Sequence, residues 1–143
     1  MNRTEARYAE IYIGSPPQHE SERTVLYSLV RLLEGEQSSA IIFANISLAS
    51  HQIDFIVALD GQALVIESKG YTRPVRGGEN GPWQVQVASG DWKDFQRPGN
   101  PYVQARDAAL AVKDAMRSFA GADVPYPAAA VIFVPRIPHG SKV

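Results

Sequence analysis

Cysteine is absent from this chain of 143 residues, which excludes disulfides and thiolate metal sites and fits a reducing compartment. Histidine is scarce. His19, His51 and His139 stand in no ligand spacing such as His-x-x-x-His, which argues against a zinc enzyme, and His51 reads as structural or exposed. The N-terminus, Met1-Asn-Arg-Thr-Glu-Ala-Arg7, lacks the apolar run of a secretory leader. No segment approaches the roughly 18 apolar residues that a membrane helix needs. The expectation is a soluble cytoplasmic protein with no membrane partner. No repeat, heptad or low-complexity tract interrupts it, and its 45% hydrophobic and 20% charged content is that of an ordinary globular chain. One domain spanning 1–143 is expected, long enough to bury a core.

An excess of one charge is also missing, since the formal net charge is −1. The total conceals a gradient. Residues 1–68 carry four basic and nine acidic side chains, residues 69–106 six basic and three acidic, and residues 107–143 a net of +1. A polyanion would meet the middle segment, through Arg73, Arg76, Lys93, Arg97 and Arg106. On charge alone, a solvated loop face accounts for so small an excess better.

What is present in quantity is β-branched and apolar alternation. Two runs rich in Ile, Val and Leu, residues 52–59 and 62–69, flank Asp60-Gly61, a dipeptide suited to a two-residue hairpin turn. With that loop, cross-strand partners have residue numbers adding to 121, which sets Asp54 opposite Glu67. Lys69 shares the face of Glu67, and Gln52 that of Asp54. Ile53, Phe55, Val57, Leu64 and Ile66 form the other, core face. Opposed carboxylates have Cβ atoms roughly 4.5–5.5 Å apart and repel; a divalent cation between them, with the Lys69 ammonium alongside, would account for the arrangement.

Around this hairpin the chain reads as helix, three strands, an inserted excursion, helix, strand. Ser15-Pro16-Pro17 or Ser21 can cap a helix that continues through Val25, Leu26, Leu29, Leu32 and Leu33 and stops near Gly35. Glu22 falls within its apolar stripe; a carboxylate in the first turn also suits the helix dipole. Residues 40–48 read as a strand. Residues 71–99 predict an accessory hairpin, with Trp83-Gln-Val85-Gln-Val87 as one strand, Asp91-Trp92-Lys93 returning, and Gly77-Gly78 and Gly81-Pro82 as mobile ends. Trp83 and Trp92 are assigned to its packing ahead of base stacking. Asn100-Pro101 starts a second helix to about Phe119, with Gly121 at its end and Ala108, Ala111, Val112, Ala115 and Phe119 inward. Gln104 extends that stripe as one more inward polar group. The apolar run 128–134 predicts a strand buried on both faces and parallel to 62–69.

In this order the chain resembles the restriction-endonuclease-like superfamily, named for its Asp…(Asp/Glu)-x-Lys motif, and more narrowly the nuclease-related domain (NERD) family. The resemblance rests on Ser21-Glu22 ahead of Val25 and Leu29, on Gln52-Ile53-Asp54-Phe55-Ile56-Val57, on Val65-Ile66-Glu67-Ser68-Lys69-Gly70, and on Asn100-Pro101 with Gln104. It covers about residues 18–135. Ser68 and the length of 71–99 depart from the pattern without touching a motif position. The resemblance implies an α-β-β-β-α-β core, with a mixed four-stranded sheet flanked by two helices, and hydrolysis of nucleic-acid phosphodiesters with Mg²⁺ or Mn²⁺, DNA ahead of RNA. Asp54, Glu67 and Glu22 would be the metal ligands, with the Ser68 carbonyl as another oxygen. Lys69 would orient water and balance transition-state charge, and Gln104 would assist. It also implies that a further domain can follow the chain. Three rivals stand beside this: a structural Lys69 ion pair, which leaves Glu22 and Gln104 unexplained; a non-cleaving nucleic-acid-binding or assembly module on the same fold; and a different carboxylate-metal hydrolase.

Overall fold

A computed structural model describes residues 1–96, 99–121 and 124–143, which form nine strands and two helices. These are β1 (Asn2–Ala6), β2 (Ala9–Ile13), α1 (Glu20–Glu36), β3 (Ala40–Leu48), β4 (His51–Leu59), β5 (Gln62–Lys69), β6 (Val75–Arg76), β7 (Gln84–Gln86), β8 (Trp92–Asp94), α2 (Pro101–Ala120) and β9 (Ala128–Phe133). The turn between β4 and β5 forms where Asp60 and Gly61 both take positive φ, 49° and 74°, so its backbone twist matches that of the strands. Pairing runs from Leu59↔Gln62 to Phe55↔Ile66 in the expected register. β9 returns parallel to β5, from Leu64↔Ala128 to Lys69↔Phe133, by way of α2.

The expected four-stranded sheet has six strands, in the order β1-β2-β3-β4-β5-β9. The two additional strands precede α1. β2 pairs parallel with β3 and buries Ala9 and Ile11 against it. β1 pairs antiparallel on the outside, with Asn2, Arg3, Thr4 and Glu5 all exposed. Polar on both sides, β1 carries no alternation to announce it, and its charges suit an edge that must not recruit another strand. β9 is the opposite edge, so its side chains are exposed or half-buried instead of buried on both faces.

α1 and α2 cover opposite faces of the sheet. Val25 and Leu33 of α1 pack with Ile42, Ala44, Phe55 and Ile66, whereas Ala108, Ala109 and Val112 of α2 pack with Ile53, Ile56 and Val65. The expected common face of Ile53 and Phe55 is therefore split between the two cores. The split has a local cause. Asn45 has φ 51°, and the β3–β4 pairing recorded as Ala44↔Phe55 and Ile46↔Ile53 omits the position where Asn45 faces Asp54. Side-chain alternation switches faces at this break in both strands.

The helix ends also refine the expectation. His19, not Ser15 or Ser21, occupies the N-cap of α1, without a side-chain capping bond, and Gln37 in the left-handed region closes it. Leu32 faces solvent. Asn100 caps α2, accepting from the Tyr102 and Val103 N–H groups. Phe119, assigned to the buried stripe, is 93% exposed because α2 runs past the sheet before Gly121 ends it.

The excursion after β5 is a three-stranded sheet, β6-β7-β8, rather than a two-stranded hairpin. Trp83 is its anchor, fully buried and in ring contact with Tyr71, Tyr102 and Phe133. The glycine ends are fastened: the Trp83 indole donates to the Gly78 carbonyl, and the Asn100 amide donates to those of Gly78, Glu79 and Gly81. A Cβ on Gly77 would lie 2.3 Å from the Trp83 ring. Gly77→Ala is therefore expected to cost about 1–3 kcal/mol, read as a lowered unfolding temperature and increased exposure of tryptophan fluorescence.

Candidate active site

The break at Asn45 and Asp54 opens the sheet where the β4–β5 ladder ends. Beyond Phe55↔Ile66 no further pair forms, while β5 stays paired with β9 through Lys69. Into this fork Asp54 turns its carboxylate, and Oδ2 accepts from the Ser68 N–H at 2.7 Å and from Ser68 Oγ at 2.9 Å. The side chain of Asp54 thus takes a backbone donor released by the fork. This modifies the expectation of two bare carboxylates forced together by a continuous hairpin. Glu67 too has a partner, the Lys69 ammonium at 2.5 Å.

The fork is one wall of a pocket of about 390 Å³ that holds Asp54, Glu67, Lys69, Glu22 and Gln104 together. Glu22 arrives from the first turn of α1, 8% exposed, with Oε2 accepting from the Gln18 N–H at 2.9 Å. The close approach of α1 depends on Gly70, where a Cβ would lie 3.3 Å from that of Ser21. Gln104 enters from the first turns of α2, and its Oε1 is buried with no hydrogen-bond partner among the described residues. Among the described residues, no three His, Cys, Asp or Glu side chains converge as a metal cluster. Asp54 Oδ1, Glu67 Oε2 and Glu22 Oε1 accept no protein hydrogen bond among those residues either.

Glu67 is the electrostatic focus. Burial and then the charge of Asp54 push its carboxyl above the ordinary range; Lys69 pulls the other way, and Glu22 adds a smaller upward push. A carboxyl whose folded pKa is raised favours the fold when protonated, and that contribution disappears as pH rises through the raised value. Glu67→Gln is accordingly expected to unfold at a higher temperature than the wild type at neutral pH. The advantage should vanish below the usual glutamate range, near 4.5, in thermal melts across pH.

The proposed phosphate-binding cations are elsewhere. None of Arg73, Arg76, Lys93 and Arg106 lines the pocket. Arg76 lies over the Trp92 ring at 4.5 Å and donates to Gln84, and Arg106 is 3.9 Å from Asp107. Arg73 and Lys93 are exposed, and Arg97 lies outside the described residues.

Sequence reasoning missed Asn45 and His19, which also line the pocket, and for Ser68 it named the carbonyl but not the N–H and hydroxyl that hold Asp54. Asn45, 8% exposed, donates to the carbonyls of Ser15 and Pro16 and accepts from Gln52 at 2.5 Å, tethering the approach to α1 to the sheet. Gly14 permits that contact, since a Cβ there would fall 2.5 Å from the Asn45 carbonyl oxygen. An asparagine within the apolar run of β3 was the available signal.

Comparison with curated proteins and with solved structures gave no match. The profile of the family described as NERD, nuclease-related domain, matches residues 17–134. That span takes in both helices, the fork and the parallel return strand, and leaves β1 and β2 outside it. The chain belongs to the nuclease-related domain family.

Proposed function

We propose that this protein is a divalent-cation-dependent nuclease that hydrolyses phosphodiester bonds, with DNA preferred to RNA. The observation that carries the proposal is the meeting of Asp54, Glu67 and Lys69 with Glu22 and Gln104, drawn from four separate elements into one pocket. The donor set fits a hard cation. Mg²⁺ is commonly held by one or two carboxylates, with water and substrate phosphate filling the other positions. Asp54 and Glu67, each with a free oxygen, would hold Mg²⁺ or Mn²⁺, and Glu22 would act on it through water. The chemistry such a cation supplies when bound is polarisation of the phosphate and acidification of a water.

The protein groups would do the rest. Lys69, fixed by Glu67, would offset the negative charge that builds up on the phosphate. Gln104 Oε1, a buried acceptor lacking a partner among the described residues, would take a hydrogen bond from the attacking water and aim it. Ser68 holds Asp54 in one orientation by two hydrogen bonds. A non-cleaving binding module is the second reading, favoured by the finding that both fork carboxylates already have protein partners.

Relaxation of supercoiled plasmid separates the two. Nicking with Mg²⁺ or Mn²⁺, stopped by EDTA, is expected of the nuclease. DNA retention without nicking, unchanged by EDTA, would instead identify the binding module.

A further inference from the structure

A second groove opens directly from the carboxylate pocket. The two share His19, Ser21, Ser68 and Lys69, and the groove, of about 680 Å³, continues between α1 and the chain beyond β9. Its size lies within the range that encloses small organic ligands. Thr24, Tyr71, Val134 and Pro135 supply an aromatic and aliphatic lining with two hydroxyls. The Tyr71 ring is held in place against Phe95 at 5.3 Å and Phe133 at 5.9 Å, and its hydroxyl has no protein partner among the described residues.

Charge decides between a duplex and a single strand. Duplex binding draws on many phosphate contacts from Lys and Arg. Here Lys69 is the single Lys or Arg lining either compartment, set against Glu22, Asp54 and Glu67 in the pocket and Glu20 in the groove. Single-strand binding can draw instead on base contacts with aromatic side chains. We propose that the groove takes an unpaired nucleobase next to the scissile phosphate, so that the substrate enters as a single strand; this deepens, and rests on, the nuclease reading above. Lys69 at the junction meets the phosphate, while the base passes between Thr24 and Tyr71.

The test is fluorescence anisotropy with the whole chain in Ca²⁺ buffer, which offsets the carboxylate charge. Three probes are used: a labelled single-stranded DNA, the same strand annealed to its complement, and a version with abasic residues at its centre. Single-stranded DNA should bind on the order of tenfold or more tighter than either of the others. Thr24→Met, which extends an aliphatic side chain over the groove from an exposed helix position, should weaken that preference, and Tyr71→Phe should keep most of it. Duplex binding as tight as single-strand binding, or abasic DNA bound as well as intact DNA, overturns the proposal even if plasmid nicking is intact. Preferential single-strand binding without cleavage of that same strand under any divalent cation upholds the groove and overturns the nuclease. No binding of any probe overturns both.

Discussion

Asp54→Asn is expected to lower cation-dependent cleavage by about three orders of magnitude or more, while the protein stays folded. A ligated cation contributes several kcal/mol of transition-state charge stabilisation, and each 1.36 kcal/mol is about tenfold in rate. The amide oxygen of Asn can still accept from Ser68, whose N–H and hydroxyl both point to Asp54 Oδ2. Removing the Asp54 charge also relieves Glu67, whose proton affinity Asp54 raises. The unfolding temperature should therefore hold or rise as activity disappears. Initial cleavage rates in Mn²⁺, paired with a thermal melt of the same preparation, read both. A variant that unfolds early would show instead that Asp54 is chiefly a structural bridge across the fork.

Lys69→Met is expected to have the next largest effect, with cleavage lower by about 10²–10³-fold, the loss typical of one preorganised transition-state donor. Its stability signature differs from that of Asp54→Asn. Glu67, 8% exposed, would lose its only hydrogen-bond donor among the described residues, a loss of about 1–3 kcal/mol for a buried polar group. Without the downward pull of Lys69, the carboxyl of Glu67 moves further up. The stability contribution of a raised carboxyl is present at low pH and lost as pH rises through its folded pKa. The deficit of Lys69→Met in thermal melts should therefore be small in acid and grow towards neutral pH. Lys69→Arg retains a cation but replaces a compact ammonium with a planar fork, so it should recover most of the stability and only part of the rate.

The fold was legible where one physical signal dominated. Asp60-Gly61 between alternating runs set the β4–β5 register, and Asn100-Pro101 set the start of α2. Glu22 and Gln104 stood out as polar residues on apolar helix faces, and the pocket contains both. Reading failed where geometry is made by contacts distant in sequence. Nothing in Asn2-Arg-Thr-Glu-Ala6 marks a strand, since β1 forms only because β2 offers an edge. One expected capping serine is engaged elsewhere: the Ser15 hydroxyl donates to the Asn45 carbonyl instead of accepting from an α1 N–H. Strict alternation, assumed through Asp54, fails because left-handed Asn45 across the strand breaks the ladder there. The same break lets Asp54 reach Ser68, so the site owes its shape to a pair of residues only one of which carried a visible motif.

On this reading the fork holds a divalent cation between Asp54 and Glu67, although each already has a protein partner. Diffraction from crystals soaked in Mn²⁺, recorded for anomalous signal, tests it most directly. A peak within coordination distance of both Asp54 and Glu67 oxygens, absent in Asp54→Asn, is the expected result. An empty fork at saturating Mn²⁺, with Glu67 still paired to Lys69 and Asp54 to Ser68, would contradict it.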